Sequence, residues 1–305
     1  MKIEAFFFRF TDVENDDIHL ILEYKRDQKW ANLKSPRANR FIVHSDTNNP
    51  TLSSIESFEK PLKDFHPDLF VVSGLQMMDN YPFVPGQRQK RLEKVKNQMK
   101  IQPKNTKIHF EMASFVDETL LKDLTNLVIP YADSLGMNEQ ELPNLQSMLL
   151  HGKVSVVSDS NPRTATTLDQ MRDVFRILGK NKLTRLHLHT LAYQAILVTK
   201  NSQWKNTQFA AAKASLTANR HVCKSEIIDL SKALLLMDES FAISAVENDT
   251  KRVVFDENKP VSCWQEEIDG SEVLICVAPN LVCAEAKQTA GCGDNISAAG
   301  LILQI

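Results

Sequence analysis

The residues best suited to chemistry stand near the end of the chain, in the run Thr289-Ala-Gly-Cys-Gly-Asp294. Gly291 and Gly293 flank Cys292 and give the backbone access to conformations that other residues avoid. A helix that starts here would offer unbonded N–H groups and a positive dipole end, which attract an anion such as a phosphate. Asp294 beside that anion can accept the proton of an attacking sugar hydroxyl. A plain glycine turn with Asp294 as the helix N-cap is the alternative that these residues leave open.

A second candidate is the pair Asn138 and Glu141, in the segment Gly136-Met-Asn-Glu-Gln-Glu-Leu142. The two residues are three positions apart, so they share one helix face if a helix starts here. Glu141 would then lie near a metal-bound water, because Mg²⁺ prefers carboxylates and keeps several of its waters. In the alternative interpretation, Asn138 caps the helix and Glu141 folds back onto it, as in a capping box.

His109 and Glu111 form a third candidate, at the end of an apolar strand. The alternation of side chains along a strand places both residues on the same face. Side chains at the carboxyl end of a strand in an α/β sheet point toward the usual ligand crevice. A surface-facing pair on an edge strand is the alternative.

Two weaker candidates are pairs of basic or imidazole side chains. His187 and His189 alternate along a strand and lack an evident third metal ligand, so packing or contact with a nucleotide is favoured over metal binding. Arg37 and Arg40 are placed to reach phosphates, with solvated surface charge as the alternative.

These candidates need a scaffold in which strands and helices alternate. The continuous apolar run Asp68-Leu-Phe-Val-Val-Ser-Gly74 suits a strand buried on both faces of a parallel sheet. Hydrophobic spacing predicts further strands over residues 18–24, 40–44, 107–112 and 185–190, and residues around 132–137 lead into a helix. It predicts helices over residues 53–64, 87–99, 117–127 and 168–178. Two further helices are predicted to begin at Glu139 and near Asp294, and residues 248–259 are typical of a loop. This order predicts an α/β fold with an open, mostly parallel sheet and helices on both faces.

The overall charge limits the choice of partner. The 305 residues include 36 basic and 38 acidic residues, for a formal net charge of -2. This balance gives no electrostatic reason to expect nucleic acid or a membrane surface as a partner, so a small-molecule substrate is favoured. No run reaches the roughly 18 apolar residues of a membrane span. The first ten residues lack the features of a secretory signal.

The five cysteines all lie in the last third of the chain, and none forms a CxxC pair. This pattern argues against a closed zinc site. The odd number favours buried free thiols, and it leaves a disulfide and the cellular compartment open.

Seven segments, in this order, resemble the eukaryotic branch of the ADP-dependent glucokinases, which have a ribokinase-like fold. They are Ser35-Pro-Arg-Ala-Asn-Arg-Phe-Ile42, Pro67-Asp-Leu-Phe-Val-Val-Ser-Gly-Leu-Gln-Met-Met78, His109-Phe-Glu-Met-Ala-Ser114, Leu135-Gly-Met-Asn-Glu-Gln-Glu-Leu142, Arg185-Leu-His-Leu-His-Thr-Leu191, Asn280-Leu-Val-Cys283 and the glycine-aspartate turn. Each segment is a weak signal alone. Their common order over residues 35–305 makes the resemblance specific.

The resemblance implies that the chain transfers the β-phosphate of ADP to the 6-hydroxyl of glucose with Mg²⁺, giving glucose 6-phosphate and AMP. Asp294 resembles the catalytic base and lies close to the metal in this comparison. Glu111 and Glu141 resemble the residues of the family's HxE and NxxE motifs that organise Mg²⁺. Gly291 and Gly293 would belong to the anion hole.

Arg40 and His189 are implied to contact the nucleotide, and the protein is expected to be a monomer. Residues 1–35 are interpreted as the remnant of a small β lid, and residues 36–305 as the α/β nucleotide-binding and catalytic domain. The family has further residues before the segment matching residue 1, including most of the lid and the acidic residues that hold the sugar. Full-length eukaryotic relatives suggest the endoplasmic reticulum or secretory pathway, with the cytoplasm as the alternative.

Two other functions remain compatible with these residues. A non-catalytic or truncated relative would bind nucleotide or a partner without turnover. An ATP-dependent ribokinase-like sugar kinase would share the glycine-aspartate turn, whereas the HxE motif and the Arg-Ala-Asn-Arg segment favour the ADP-dependent group.

Overall fold

The computed structural model describes residues 18–155, 159 and 161–305. The strands are β1 (Ile18–Tyr24), β2 (Lys29–Trp30), β3 (Leu33–Lys34), β4 (Asn39–Ser45), β5 (Leu69–Val72), β6 (Lys107–Glu111), β7 (Ser134–Asn138), β8 (Arg185–His189), β9 (Tyr193–Thr199), β10 (Ala233–Leu234), β11 (Ser240–Ala242), β12 (Arg252–Val254), β13 (Ser262–Ile268), β14 (Ser271–Pro279) and β15 (Val282–Cys283). The helices are α1 (Asn48–Thr51), α2 (Ile55–Leu62), α3 (Gln87–Lys100), α4 (Glu118–Leu127), α5 (Glu141–His151), α6 (Thr164–Leu178), α7 (Thr207–Cys223) and α8 (Cys292–Ile302).

Seven strands form one sheet in the order β13-β14-β9-β8-β7-β6-β5. β5, β6 and β7 pair in parallel, whereas β9, β14 and β13 pair antiparallel. The connection from β8 to β9 spans only three residues, which is too short for a parallel crossover. The predicted α/β sheet is therefore confirmed, and the antiparallel strands at one end are a feature that the hydrophobic spacing did not predict.

The described residues divide into two compact units. The first spans residues 45–155 and 170–186, and the second spans residues 19–44, 159, 161–169 and 187–305. The predicted boundary near residue 35 stays a prediction, and the part of it that concerns residues 1–17 lies outside the described residues.

In the first unit, apolar side chains of β6 and of helices α3 and α4 form the core. Ile108 and Phe110 are almost fully buried, as are Leu120, Leu121 and Leu124. β5 departs from expectation, because it is an edge strand of the sheet and Val71 is 49% exposed. The prediction that this run is buried on both faces is wrong. An apolar run alone does not show whether the strand is an inner strand or an edge strand of its sheet.

In the second unit, α7 packs against α8, β9 and β14. Ala210, Ala211 and Ala214 are fully buried on α7, and their small side chains allow the helix to lie close to the sheet. Asp269 and Gly270 have positive φ angles of 46° and 80° and join β13 to β14 as a two-residue hairpin. This Asp-Gly pair is the sequence signal for the antiparallel end of the sheet.

The remaining predicted elements are found within a few residues of the expected positions. The predicted strands correspond to β1, β4, β6 and β8, and the predicted helices to α2, α3, α4, α5, α6 and α8. β7 was not predicted as a strand, since the residues around 132–137 were expected only to lead into α5. The loop prediction for residues 248–259 is wrong in part, because β12 lies there and pairs with β11. That hairpin has only three residues in each strand, too few for a hydrophobic pattern to show.

β1 and β4 form a two-stranded sheet of their own. Ile18, Leu20 and Phe41 are each more than half exposed there. Every helix among the described residues is too short or too polar to cross a lipid bilayer.

Helix α4 begins with a charged cap. The Asp117 side chain accepts hydrogen bonds from the N–H groups of Thr119 and Leu120 and forms an ion pair with Arg88 at 2.7 Å. Burial raises the pKa of Asp117, but its bonds to Thr119 and Leu120 and the charge of Arg88 together lower it below the ordinary value. The carboxylate therefore stabilises α4 most when it is ionised.

We expect this carboxylate to make folding stability depend on acid pH. Because its folded-state pKa lies below that of the unfolded chain, its contribution is present above about pH 4 and is lost as the pH falls through the folded-state value. Asp117→Asn keeps a capping oxygen but removes the charge, so urea unfolding should show a weaker dependence on pH below about pH 4. Asp68→Asn, at an exposed position, controls for the change in net charge. An unchanged pH dependence in Asp117→Asn would contradict the role of the charge.

Candidate active site

His109 and Glu111 lie at the carboxyl end of β6, in the first unit. Nε2 of His109 and Oε2 of Glu111 are 2.8 Å apart, which confirms that the two side chains share a face. The His109 side chain is 1% exposed and that of Glu111 is 12% exposed. The alternative of a surface-facing pair is therefore wrong, because β6 is an inner strand of the sheet.

A buried arginine and a serine extend this pair. Nη1 of Arg185, on β8, donates to Oγ of Ser134 on β7 at 2.8 Å, and the same Oγ lies 2.9 Å from Nδ1 of His109. Burial lowers the pKa of Arg185 to about 9, while the negative charge of Glu111 acts in the opposite direction. The sequence had identified neither Arg185 nor Ser134. The only feature of the sequence that pointed to this group was the alternation along β8, which links Arg185 to the two histidines.

Asn138 and Glu141 bond reciprocally between the end of β7 and the start of α5. Oδ1 of Asn138 accepts from the N–H of Glu141 at 2.9 Å, and Oε2 of Glu141 accepts from the N–H of Asn138 at 2.9 Å. Nδ2 of Asn138 also donates to Oε1 of Glu141. This is the arrangement of the capping-box alternative. It holds Glu141 in a buried position, and an ionised carboxylate has more acceptor sites than these bonds use.

Gly136 makes room for the Glu111 carboxylate. It lies directly opposite Glu111 in the β6–β7 register. A Cβ atom at this position would overlap Oε2 of Glu111 and come within 3.0 Å of Cε1 of His109. Because Gly136 has no side chain, it leaves the space that the Glu111 carboxylate occupies.

The donor set of the first unit fits a magnesium site. Glu111 and Glu141 follow neighbouring parallel strands, so both carboxylates lie at the same edge of the sheet. Mg²⁺ is commonly held by one or two carboxylates, with the remaining positions taken by water and substrate phosphate. Among the described residues, no three acidic, histidine or cysteine side chains are grouped as a metal site. These carboxylates are therefore suited to a mostly hydrated ion.

The glycine-aspartate turn lies in the second unit and begins α8. Gly291 is the N-cap with φ of 72°, so Asp294 is the third residue of the helix. The alternative of Asp294 as the N-cap is wrong, because Gly291 supplies the left-handed backbone that starts the helix. The backbone N–H groups of Gly293 and Asp294 have no acceptor within the described part of the chain. Unbonded N–H groups at a helix start are what the predicted anion site requires, and that site stays a prediction.

Polar side chains of the second unit bond to the backbone carbonyl groups of this turn. Nε2 of His221 lies 2.7 Å from the carbonyl oxygen of Ala290, and Nδ2 of Asn295 donates to the carbonyl of Gly291 at 2.8 Å. His189 also lies beside the turn, because a Cβ at Gly293 would be 3.5 Å from its ring. The turn is therefore fixed while the side chain of Asp294 stays exposed.

Glu23 and Arg40, both exposed, contact the residues just before the turn. Oε1 of Glu23 accepts from the N–H groups of Thr289 at 2.7 Å and Ala290 at 2.5 Å. Burial raises the pKa of Glu23, but these donors and the charge of Arg40 bring it below its ordinary value. Arg40 donates to the Thr289 carbonyl at 3.4 Å. Glu23 was missed by the sequence interpretation, where it is a lone acidic residue in an apolar strand.

His187 has a structural position, in agreement with the packing alternative. Its Nε2 lies 3.0 Å from Oε1 of Gln194, and Gln194 donates in turn to Asn280 at 3.1 Å. Asn280 donates to the carbonyl of Thr190 at 2.7 Å. These buried bonds join β8, β9 and the end of β14.

The cysteines correct the expectation of free thiols. Disulfides join Cys223 to Cys283 and Cys263 to Cys276. Only Cys292 is free among the described residues. Burial raises the pKa of the Cys292 thiol to about 11, opposed by Arg40 and reinforced by Asp294. This thiol is therefore protonated at neutral pH and is a poor nucleophile.

The chain has an α/β fold built on a seven-stranded sheet. The conserved region of the ADP-specific phosphofructokinases and glucokinases matches residues 9–303. The chain therefore belongs to the ADP-specific phosphofructokinase/glucokinase family.

Two curated relatives and one solved structure illustrate the similarity. The chain is 37% identical to the ADP-dependent glucokinase of Bos taurus, over 94% of this chain and 58% of the relative. It is 29% identical to a probable ADP-dependent glucokinase of Caenorhabditis elegans, over 96% of this chain and 59% of the relative. An ADP-dependent kinase solved with fructose-6-phosphate and ADPβS has the same fold, with a TM-score of 0.60 and 20% identity over 95% of this chain and 65% of that one. The chain thus spans less than two thirds of the length of each of these three proteins.

We expect Gly136→Ala to destabilise the first unit by displacing the Glu111 carboxylate. Forcing an extra methyl group into a filled space costs about 1–3 kcal/mol of unfolding free energy. Urea unfolding of the single variants and of the double variant with Glu111→Asp forms a double-mutant cycle. The shorter aspartate side chain withdraws the carboxylate, so the cost of the alanine should fall. An equal cost in both backgrounds would contradict the contact.

Proposed function

We propose that the chain carries the nucleotide-binding and phosphoryl-transfer part of an ADP-dependent glucokinase. The reaction transfers the β-phosphate of ADP to the 6-hydroxyl of glucose and gives glucose 6-phosphate and AMP. The observation that carries the proposal is the start of α8, where Asp294 stands beside two backbone N–H groups that have no acceptor among the described residues. A general base next to an anion site is the pair of features that phosphoryl transfer to a hydroxyl requires.

In this proposal the Asp294 carboxylate accepts the proton of the sugar hydroxyl as its oxygen attacks the β-phosphorus of ADP. The N–H groups of Gly293 and Asp294, aligned with the dipole of α8, stabilise the negative charge on the transferred phosphoryl group. Gly291 is needed for this geometry because its φ of 72° turns the backbone into the helix.

Glu111 and Glu141 would hold a Mg²⁺ ion, in part through water. When bound, the ion neutralises charge on the phosphates of the nucleotide and so favours attack by the hydroxyl. The residues of the first unit orient the two carboxylates, with His109 bonded to Glu111 and Asn138 bonded to Glu141.

Arg40 and His189 are proposed to contact the nucleotide. Both lie next to the glycine-aspartate turn, Arg40 through the Thr289 carbonyl and His189 through its ring beside Gly293. A guanidinium here would bind phosphate oxygens, and an imidazole N–H would donate to a phosphate or to the ribose.

The choice of ADP and glucose rests on the relatives. The chain is 37% identical to the bovine glucokinase and 23% identical to an ADP-specific phosphofructokinase of Methanosarcina acetivorans. The greater identity to the glucokinase favours glucose over fructose 6-phosphate as the acceptor.

A coupled assay of glucose 6-phosphate formation tests this function. We expect the chain to form product with ADP and glucose, and to do so far better with ADP than with ATP. Asp294→Asn should lower the turnover rate at least roughly a hundredfold, because the hydroxyl proton loses its acceptor. Nucleotide affinity, measured by calorimetry, should change little.

Asp249→Asn is a matched control, since Asp249 is exposed in the same unit and asparagine tolerates its φ of 58°. Turnover by Asp294→Asn at the wild-type rate would contradict the base role. ADP binding without any turnover by the wild-type chain would favour the non-catalytic alternative, and equal use of ATP would favour the ATP-dependent one.

A further inference from the structure

Four side chains of the first unit form a continuous line of hydrogen bonds across three strands. Nη1 of Arg185 is 2.8 Å from Oγ of Ser134, which is 2.9 Å from Nδ1 of His109. Nε2 of His109 is 2.8 Å from Oε2 of Glu111. Arg185, Ser134 and His109 are at most 1% exposed. Water therefore has almost no access to the first three members of this line.

The chemistry of the two end groups fixes the direction of the protons. A guanidinium has donors only, so Ser134 accepts from Arg185. An ionised carboxylate has acceptors only, so Nε2 of His109 must carry a proton and donate it to Glu111. In a neutral imidazole the other nitrogen is then bare. Nδ1 therefore accepts the hydroxyl proton of Ser134.

A ring whose only proton is on Nδ1 is disfavoured here. It would leave the bare Nε2 facing a carboxylate oxygen at 2.8 Å, with two acceptors and no proton between them.

We infer that Ser134 and Arg185 are positioning residues that hold His109 with its Nε2–H directed at Glu111 and thereby fix the Glu111 carboxylate. Arg185 bonds to Ser134, Ser134 bonds to Nδ1 of the ring, and the ring in turn bonds to Glu111. Partners of this kind determine the orientation of a carboxylate that serves a metal ion. The metal part of this inference rests on the proposed function of Glu111.

Nitrogen-15 NMR of the metal-free chain, labelled at histidine, tests the tautomer. We expect the His109 ring to show a protonated Nε2. The chain has eight histidines, so the signal is assigned by its loss in His109→Gln. An unprotonated Nε2 would overturn the inference.

Mn²⁺ binding, followed by electron paramagnetic resonance, tests the positioning of Glu111. Ser134→Ala removes the hydroxyl and should weaken Mn²⁺ binding roughly tenfold or more, in the range known for partners of metal-site residues. Ser134→Thr keeps a hydroxyl at this position and should restore most of the affinity. Ser215→Ala, which removes a buried hydroxyl that donates to the carbonyl of Pro279 in the second unit, is the matched control.

The outcomes separate this inference from the proposed function. Unaltered Mn²⁺ affinity in Ser134→Ala, or an equal loss in Ser215→Ala, would overturn the positioning role. The expected tautomer and the expected loss of Mn²⁺ affinity, found together with an absence of kinase turnover, would uphold the positioning role and reject the glucokinase function.

Discussion

The buried guanidinium of Arg185 is the constraint on which the candidate metal site depends. A fully buried cation must be met by acceptors, and Ser134 on the next strand supplies one of them. Ser134 also bonds to Nδ1 of His109, and Nε2 of the same ring bonds to Glu111. The orientation of one carboxylate at the sheet edge thus follows from a charge placed two strands away.

The second unit meets a different requirement, since an anion site needs backbone donors that the protein itself does not use. The turn before α8 is held by side-chain contacts to its carbonyl groups and to the N–H groups of its first two residues. His221 contacts the Ala290 carbonyl, Asn295 donates to the Gly291 carbonyl, and Glu23 takes the N–H groups of Thr289 and Ala290. Further along, the N–H of Cys292 donates to the Thr289 carbonyl, whereas those of Gly293 and Asp294 have no acceptor among the described residues and can bind a ligand. A rigid turn with unused donors is the preorganisation that stabilises a transferred phosphoryl group.

The sequence predicts those parts of the site that depend on local periodicity. Strand alternation was sufficient to place His109 beside Glu111, and three-residue spacing was sufficient for the bond between Asn138 and Glu141. Ser134 and Arg185 could not be predicted, because their role arises from pairing between strands that are 51 residues apart in the chain. The disulfide between Cys263 and Cys276 follows from the hairpin register, and it would have been found if the Asp-Gly turn at residues 269–270 had been recognised.

Anomalous diffraction from crystals of the chain grown with Mn²⁺ and ADP tests most directly whether the carboxylates of the first unit organise the divalent cation. We expect one strong Mn²⁺ peak beside Glu111 and Glu141, bound to their oxygens directly or through a single water. Glu111→Gln should weaken that peak without moving the backbone of β6. A strong peak at any other group of side chains, with none near these two carboxylates, would contradict the proposed metal site.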